Sequence, residues 1–211
     1  MLPGDRNESS AACRDFASVT ATVAALDPAV WNAQPVGVVA DYPILQIQAA
    51  VSPPAAATVL ITAGVHGDEP AGVETVLQMW RESAFAPPAG YVVWPCLNPY
   101  GFVHDQRDNR EGHDLNRVLL DPVGTEMEFI ERALQSRRFD VCVDLHEDWE
   151  ADGFYMYEGK ADARWLGPRI VEKVSRIGAI DTETDDSDIP LSPGLLQVDP
   201  GWGGRGLASF L

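Results

Sequence analysis

The sequence predicts an α/β fold, a three-layer sandwich around a mixed, largely parallel sheet. Three observations predict it. Continuous apolar, β-branched runs recur at Thr58–Gly64, Tyr91–Leu97 and Phe139–His146, the mark of strands covered on both faces. Segments with helical patterning stand between and after them. The 211 residues are 45% hydrophobic and 22% charged, a balance that supports one sizeable core.

The elements follow in order. Residues 1–13 read as a mobile arm and 14–211 as a single domain. Phe16–Leu26 predicts a short helix, stopped by Pro28. VGVVADYPILQIQAAV (Val36–Val51) reads as two strands about a turn at Asp41–Pro43, and SPPAAA then breaks the pattern. Thr58–Gly64 is the first buried strand. A helix is expected from Glu69 to Glu82, with Pro70 suited to its first turn. After the strand at Tyr91–Leu97, Asn98–Arg117 is a polar segment long enough to be a functional loop. Thr125 and Glu128 have capping-box spacing for a helix reaching Arg138. Phe139–His146 is the third buried strand, GFYMYEG (Gly153–Gly159) a fourth, and Ala163–Ile177 a helix. The chain then turns acidic at DTETDDSD. Leu207, Phe210 and Leu211 have the spacing of a helix's first turn, so a last strand and helix are expected to be lacking from this chain.

Charge narrows the function. A net charge of −17 disfavours nucleic acid and anionic membrane surfaces, and an anionic substrate would need a local basic cluster. Cys13, Cys96 and Cys142 are odd in number and form no C-x-x-C pair. Cys96 and Cys142 lie in apolar runs and read as buried thiols, which fits a reducing, cytoplasmic setting. No basic-then-apolar leader opens the sequence, and no apolar stretch reaches the ~18 residues of a membrane span.

The chemistry concentrates where strands end. ITAGVHGDEPAGVE (Ile61–Glu74) puts His66 and Glu69 in the loop between a buried strand and a helix. His146 occupies the same point after the strand ending at Leu145. In open α/β sheets, ligands bind at the carboxyl ends of strands. Two imidazoles and one carboxylate are a ligand set for a catalytic Zn²⁺ that keeps a position open. Their summed charge leaves the bound ion at +1, strongly Lewis-acidic and able to lower the pKa of water to about 7. The plainer readings are a loop histidine at His66, a helix-dipole carboxylate at Glu69, a turn cap at Asp114 and surface arginines at Arg107, Arg110 and Arg117. His104 and His113 read as exposed and not as ligands.

HGDEPAG, NPYGF, RDNREGHDLNR and DLHED, in that order, resemble the zinc carboxypeptidase A superfamily. DLHEDW followed by GFYMYE is most similar to its succinylglutamate desuccinylase/aspartoacylase branch. The resemblance spans Val59 to Tyr157, about half of the chain. It implies a phosphorylase/hydrolase-like fold and zinc held by His66, Glu69 and His146. It implies that Asp114 fixes the tautomer of His66, and that Asn116 and Arg117 grip a free carboxylate on a small anionic substrate. Arg107 would stabilise the oxyanion as water attacks a scissile amide carbonyl, with Arg110 the alternative. The family's general-base glutamate comes late; Glu183 in DTETDD is the nearest match, though it follows His146 more closely than in relatives and sits among acids. The implied activity is hydrolysis of an N-acyl amino acid or of a peptide's C-terminal residue. A zinc-binding module without catalysis is the alternative. A di-metal aminopeptidase would need bridging acids, for which Asp68 and Glu147 are the candidates.

Overall fold

The computed structural model describes residues 14–50, 57–85, 89–118, 125–135, 137–159, 165–199 and 201. The expected arm at 1–13, the break at 52–56 and the apolar set Leu207, Phe210 and Leu211 lie outside the described residues. The chain divides into two compact units, Met1–Glu147 and Asp148–Leu211.

The first unit runs α1 (Ala17–Ala24), β1 (Trp31–Val39), β2 (Tyr42–Ala49), β3 (Ala57–Ala63), α2 (Pro70–Arg81), β4 (Ala89–Trp94), α3 (Pro99–His104), a 3-10 turn (Leu115–Arg117), α4 (Met127–Leu134) and β5 (Val141–Leu145). Its five strands form one mixed sheet in the order β1-β2-β4-β3-β5. β3 runs parallel to both β4 and β5, while β2 is antiparallel to β1 and to β4. The α/β sandwich expected from the sequence is therefore present, with its parallel part built by the three apolar runs.

The alternation of side chains across a sheet explains why those runs are continuous. Ile61, Ala63 and Val93 point into a cluster with Val73, Val76, Leu77 and Trp80 of α2 and Val19 of α1. Leu60, Val92 and Trp94, their odd-even counterparts, are buried on the opposite face. There α4 packs against β1, so helices cover the sheet on both sides. Each of the larger aliphatic side chains among them stabilises the fold by roughly 1.5–3 kcal/mol before the entropy cost is counted.

The segment Asn98–Arg117, expected as a loop, holds α3 and the 3-10 turn, the helix expected to reach Ile177 ends at Val174, and other boundaries differ as well. β1 begins at Trp31, five residues before the expected Val36, because Asn32 to Pro35 are exposed and carry no apolar signal. The hairpin turn is Ala40–Asp41, both at positive φ as a two-residue type I′ turn requires. Pro43 is already inside β2, near its start, where proline is tolerated. The fourth helix stops at Leu134 and not Arg138, where Gln135 turns to an extended ψ of 127°.

The second unit holds β6 (Met156–Glu158), α5 (Gly167–Val174), β7 (Ile189–Ser192) and β8 (Leu195–Gln197). Its small sheet has the order β6-β8-β7. Tyr155 and Tyr157 donate hydrogen bonds to Asp148 and Asp188 within the same unit. No described helix is long and apolar enough to cross a membrane.

Candidate metal centre

β3 and β5 are neighbours in the sheet, paired in parallel so that Ala63 stands opposite Leu145. His66 comes three residues past Ala63 and His146 one past Leu145, so a spacing of 80 residues in sequence collapses to one strand separation. The imidazole ring centroids lie 5.0 Å apart.

Glu69 stands between them. Its Oε1 is 2.6 Å from Nδ1 of His66 and its Oε2 is 2.8 Å from Nδ1 of His146. One ligand atom from each of these three residues lies within 4.8 Å of the others, a group that could hold a metal ion. The outward ring nitrogens are held as well. Nε2 of His66 faces Oδ1 of Asp114 at 3.2 Å, and Nε2 of His146 faces Oδ2 of Asp144 at 3.2 Å. Both rings therefore turn Nδ1 inward and present Nε2 to a carboxylate, the arrangement that orients ligating histidines. The donor set, two nitrogens and a carboxylate converging from rigid strand ends, fits a divalent ion of borderline softness.

Electrostatics in the cluster follow from this geometry. Burial opposes a charge on His146, yet the hydrogen bonds to Asp144 and Glu69 outweigh it and raise its pKa from 6.5 to about 10. Burial also opposes a charged Glu69, but His146 and His66 hold its carboxyl well below the usual range. At Asp114, burial is overcome by His66 and Arg107, so its pKa is lowered too.

The loops are pinned through backbone. The Arg107 carbonyl accepts from the Gly67 N–H and from Nδ2 of Asn98, which ties the His66 loop to the polar segment. Gly67 abuts Gly101 of α3 so closely that an added Cβ would lie 1.9 Å from the Gly101 carbonyl carbon. Arg14 donates to the Gly67 carbonyl at 2.7 Å and pairs with Asp105. Glu147 gives its N–H to Glu69 Oε2, while its own Oε2 accepts from Ala71 N–H in the first turn of α2.

The sequence-predicted residues fall into three groups. His66, Glu69, His146, Asp114 and Arg107 are brought together. Arg107 sets Nε and Nη2 3.2 Å from Asp114 Oδ2 and Nη1 3.4 Å from Glu69 Oε1, with 45% of its side chain exposed. Asn116 and Arg117 sit on the 3-10 turn that Asp114 caps, its Oδ1 accepting from Asn116 N–H. Arg110 is exposed, with no ion pair among the described residues to Glu69 or Asp114. Glu183 belongs to the second unit, exposed, with its N–H donated to Asp181. His104 and His113 are exposed, as read from the sequence.

Asp144 was missed as a site residue. It lies two residues before His146 on β5, hence on the same face, and that period-2 offset was the available signal. Thr62 Oγ1 donates to its Oδ1 at 2.6 Å and steadies it.

Residues 55–162, half of the chain, match the succinylglutamate desuccinylase/aspartoacylase catalytic domain. The chain belongs to this family. The cluster described above lies wholly within the matched desuccinylase/aspartoacylase segment. Among solved structures, this family member is similar to a candidate metallopeptidase from Shewanella denitrificans, with 21% identity and a TM-score of 0.69 over 87% of this chain and 71% of that one. A candidate metallopeptidase from Shewanella amazonensis gives 20% identity and a TM-score of 0.70, over 92% and 77%. A metallo-carboxypeptidase from Burkholderia cenocepacia gives 20% and 0.55, over 67% of this chain and 42% of that one. At these identities the likeness carries the fold. No curated protein matches the chain. Family membership with a His-Glu-His group that could hold a metal ion points to a hydrolase of the desuccinylase/aspartoacylase type.

Proposed function

We propose that this chain is a zinc-dependent hydrolase of an amide bond adjacent to a free carboxylate, acting on an N-acyl amino acid or the C-terminal residue of a short peptide. The observation that carries the reading is the convergence of His66, Glu69 and His146, with Asp114 and Asp144 each holding an outward imidazole nitrogen. When bound, the ion supplies Lewis acidity and a nucleophile at neutral pH.

The chain's own groups take the remaining roles. Glu69 spans both imidazoles and fixes their Nδ1 atoms toward one point. Arg107, half-exposed beside that point, places a permanent positive charge where a carbonyl oxygen gains negative charge during attack. Asn116 and Arg117 offer an amide and a planar fork to the substrate's carboxylate, the local cationic patch that a chain of net charge −17 needs.

The second reading is a metal-binding module without turnover. What favours it is that the carboxylates gathered at the cluster already have partners: Asp114 and Asp144 hold imidazoles, and Glu147 caps α2. One experiment separates the two. The metal-free protein is loaded with Zn²⁺ and assayed against N-succinyl, N-acetyl and short-peptide substrates, beside His66→Ala. Zinc-dependent release of amino acid by the wild type alone supports the hydrolase. Stoichiometric zinc with no release from any substrate supports the module, and undiminished zinc in His66→Ala refutes both.

A further inference from the structure

Two fully buried polar side chains beneath the arginine-bearing loop have no part in ligating or gripping. Asn109 is 0% exposed and Glu126 is 1% exposed. Asn109 Nδ2 donates to Glu126 Oε2 at 2.7 Å, and Asn109 Oδ1 accepts from the N–H of Glu111 at 3.1 Å and of His113 at 2.8 Å. The main chain closes the same turn: the Asn109 N–H reaches the His113 carbonyl, and the Gly112 N–H reaches the Asn109 carbonyl. Asp114 follows directly, capping the 3-10 turn that carries Asn116 and Arg117. Glu126 anchors this from the start of α4, packed in the core beside Met127 and Ile130.

The second oxygen of Glu126 is buried without a hydrogen-bond partner among the described residues. A buried, half-satisfied carboxyl costs stability, and an apolar side chain of similar size would cost less. Burial pushes the Glu126 pKa up, with Glu111 adding to the push and Asn109 and His113 opposing it. A group kept against its own contribution to stability calls for a second reason.

We infer that the Glu126–Asn109 pair is the positioning element of the carboxylate-gripping loop, fixing where Asp114, Asn116 and Arg117 stand. This deepens the hydrolase reading and rests on it for the identity of what the loop grips. The chain spends core volume on a polar key because loop register, not stability, is what the key supplies.

The test compares Glu126→Leu, Glu126→Gln and Asn109→Ala with the wild type. Three quantities are read: global unfolding midpoint, amide hydrogen exchange of Glu111–Arg117 in the metal-free protein, and succinate affinity of the zinc-loaded protein. Glu126→Leu is expected to match or exceed wild-type stability, while loop exchange quickens and succinate affinity falls, each by about tenfold. Glu126→Gln keeps an acceptor oxygen and is expected to retain both. A Leu variant with unchanged loop exchange overturns the inference, as does a Gln variant damaged as badly as Leu. If the Leu variant does not fold, Asn109→Ala decides by the same loop readout. If wild-type protein binds no succinate, succinate is not what the loop grips, and the exchange comparison alone judges the pair.

Discussion

At the scale of single residues, the cluster works by holding the backs of its histidines. An imidazole that presents Nδ1 to an ion needs its Nε2 occupied, or the ring can rotate away. Asp114 and Asp144 do this for His66 and His146. Asp144→Asn is therefore expected to weaken zinc binding by about 10–100-fold, with the unfolding midpoint little moved. A competition titration against a chromophoric chelator measures this, and an unchanged affinity would show that Asp144 is idle. The sequence displayed the three converging residues openly, because each follows an apolar run at a strand end. It hid their supports. Asn98 and Arg14 act on the carbonyls of Arg107 and Gly67, and a backbone acceptor leaves no trace in the letters.

At the scale of elements, legibility tracked continuous apolar runs, which need not be buried on both faces: β5 is only half-buried, with Val143 exposed. β3, β4 and β5 carry near-continuous apolar, β-branched runs, broken in β3 and β5 by Thr62 and Asp144, which bond each other, and in α2 Val73, Val76, Leu77 and Trp80 recur at helical spacing. The first half of β1 carries no such run, since an exposed strand is specified by its ladder to β2 and not by its own composition. Glu147 links an element to the site: its carboxylate caps the first turn of α2 from the end of β5, while its N–H steadies Glu69. Glu147→Ala is expected to destabilise the protein by about 0.5–2 kcal/mol, as loss of a helix N-terminal acceptor does. Denaturant unfolding reads it; no change would mean water replaces the cap at no cost.

At the scale of the whole molecule, charge and metal uptake are coupled. Against burial, Asp144 and Glu69 hold the pKa of His146 up at about 10, from 6.5. Its contribution to stability is thus complete below 6.5 and is lost as pH rises through about 10. A ligating imidazole must be neutral, so ion binding has to expel that proton. Zinc uptake at neutral pH is expected to release protons, and apparent affinity is expected to climb with pH across this window. Calorimetry in buffers of different ionisation enthalpy measures the release; pH-independent uptake without proton release would contradict it.

Anomalous scattering at the zinc edge from crystals of the zinc-loaded protein tests the convergence of His66, Glu69 and His146 most directly. The predicted result is a peak bonded to Nδ1 of His66, Nδ1 of His146 and the Glu69 carboxylate. A peak ligated elsewhere, or imidazoles turned to bind through Nε2, would contradict it.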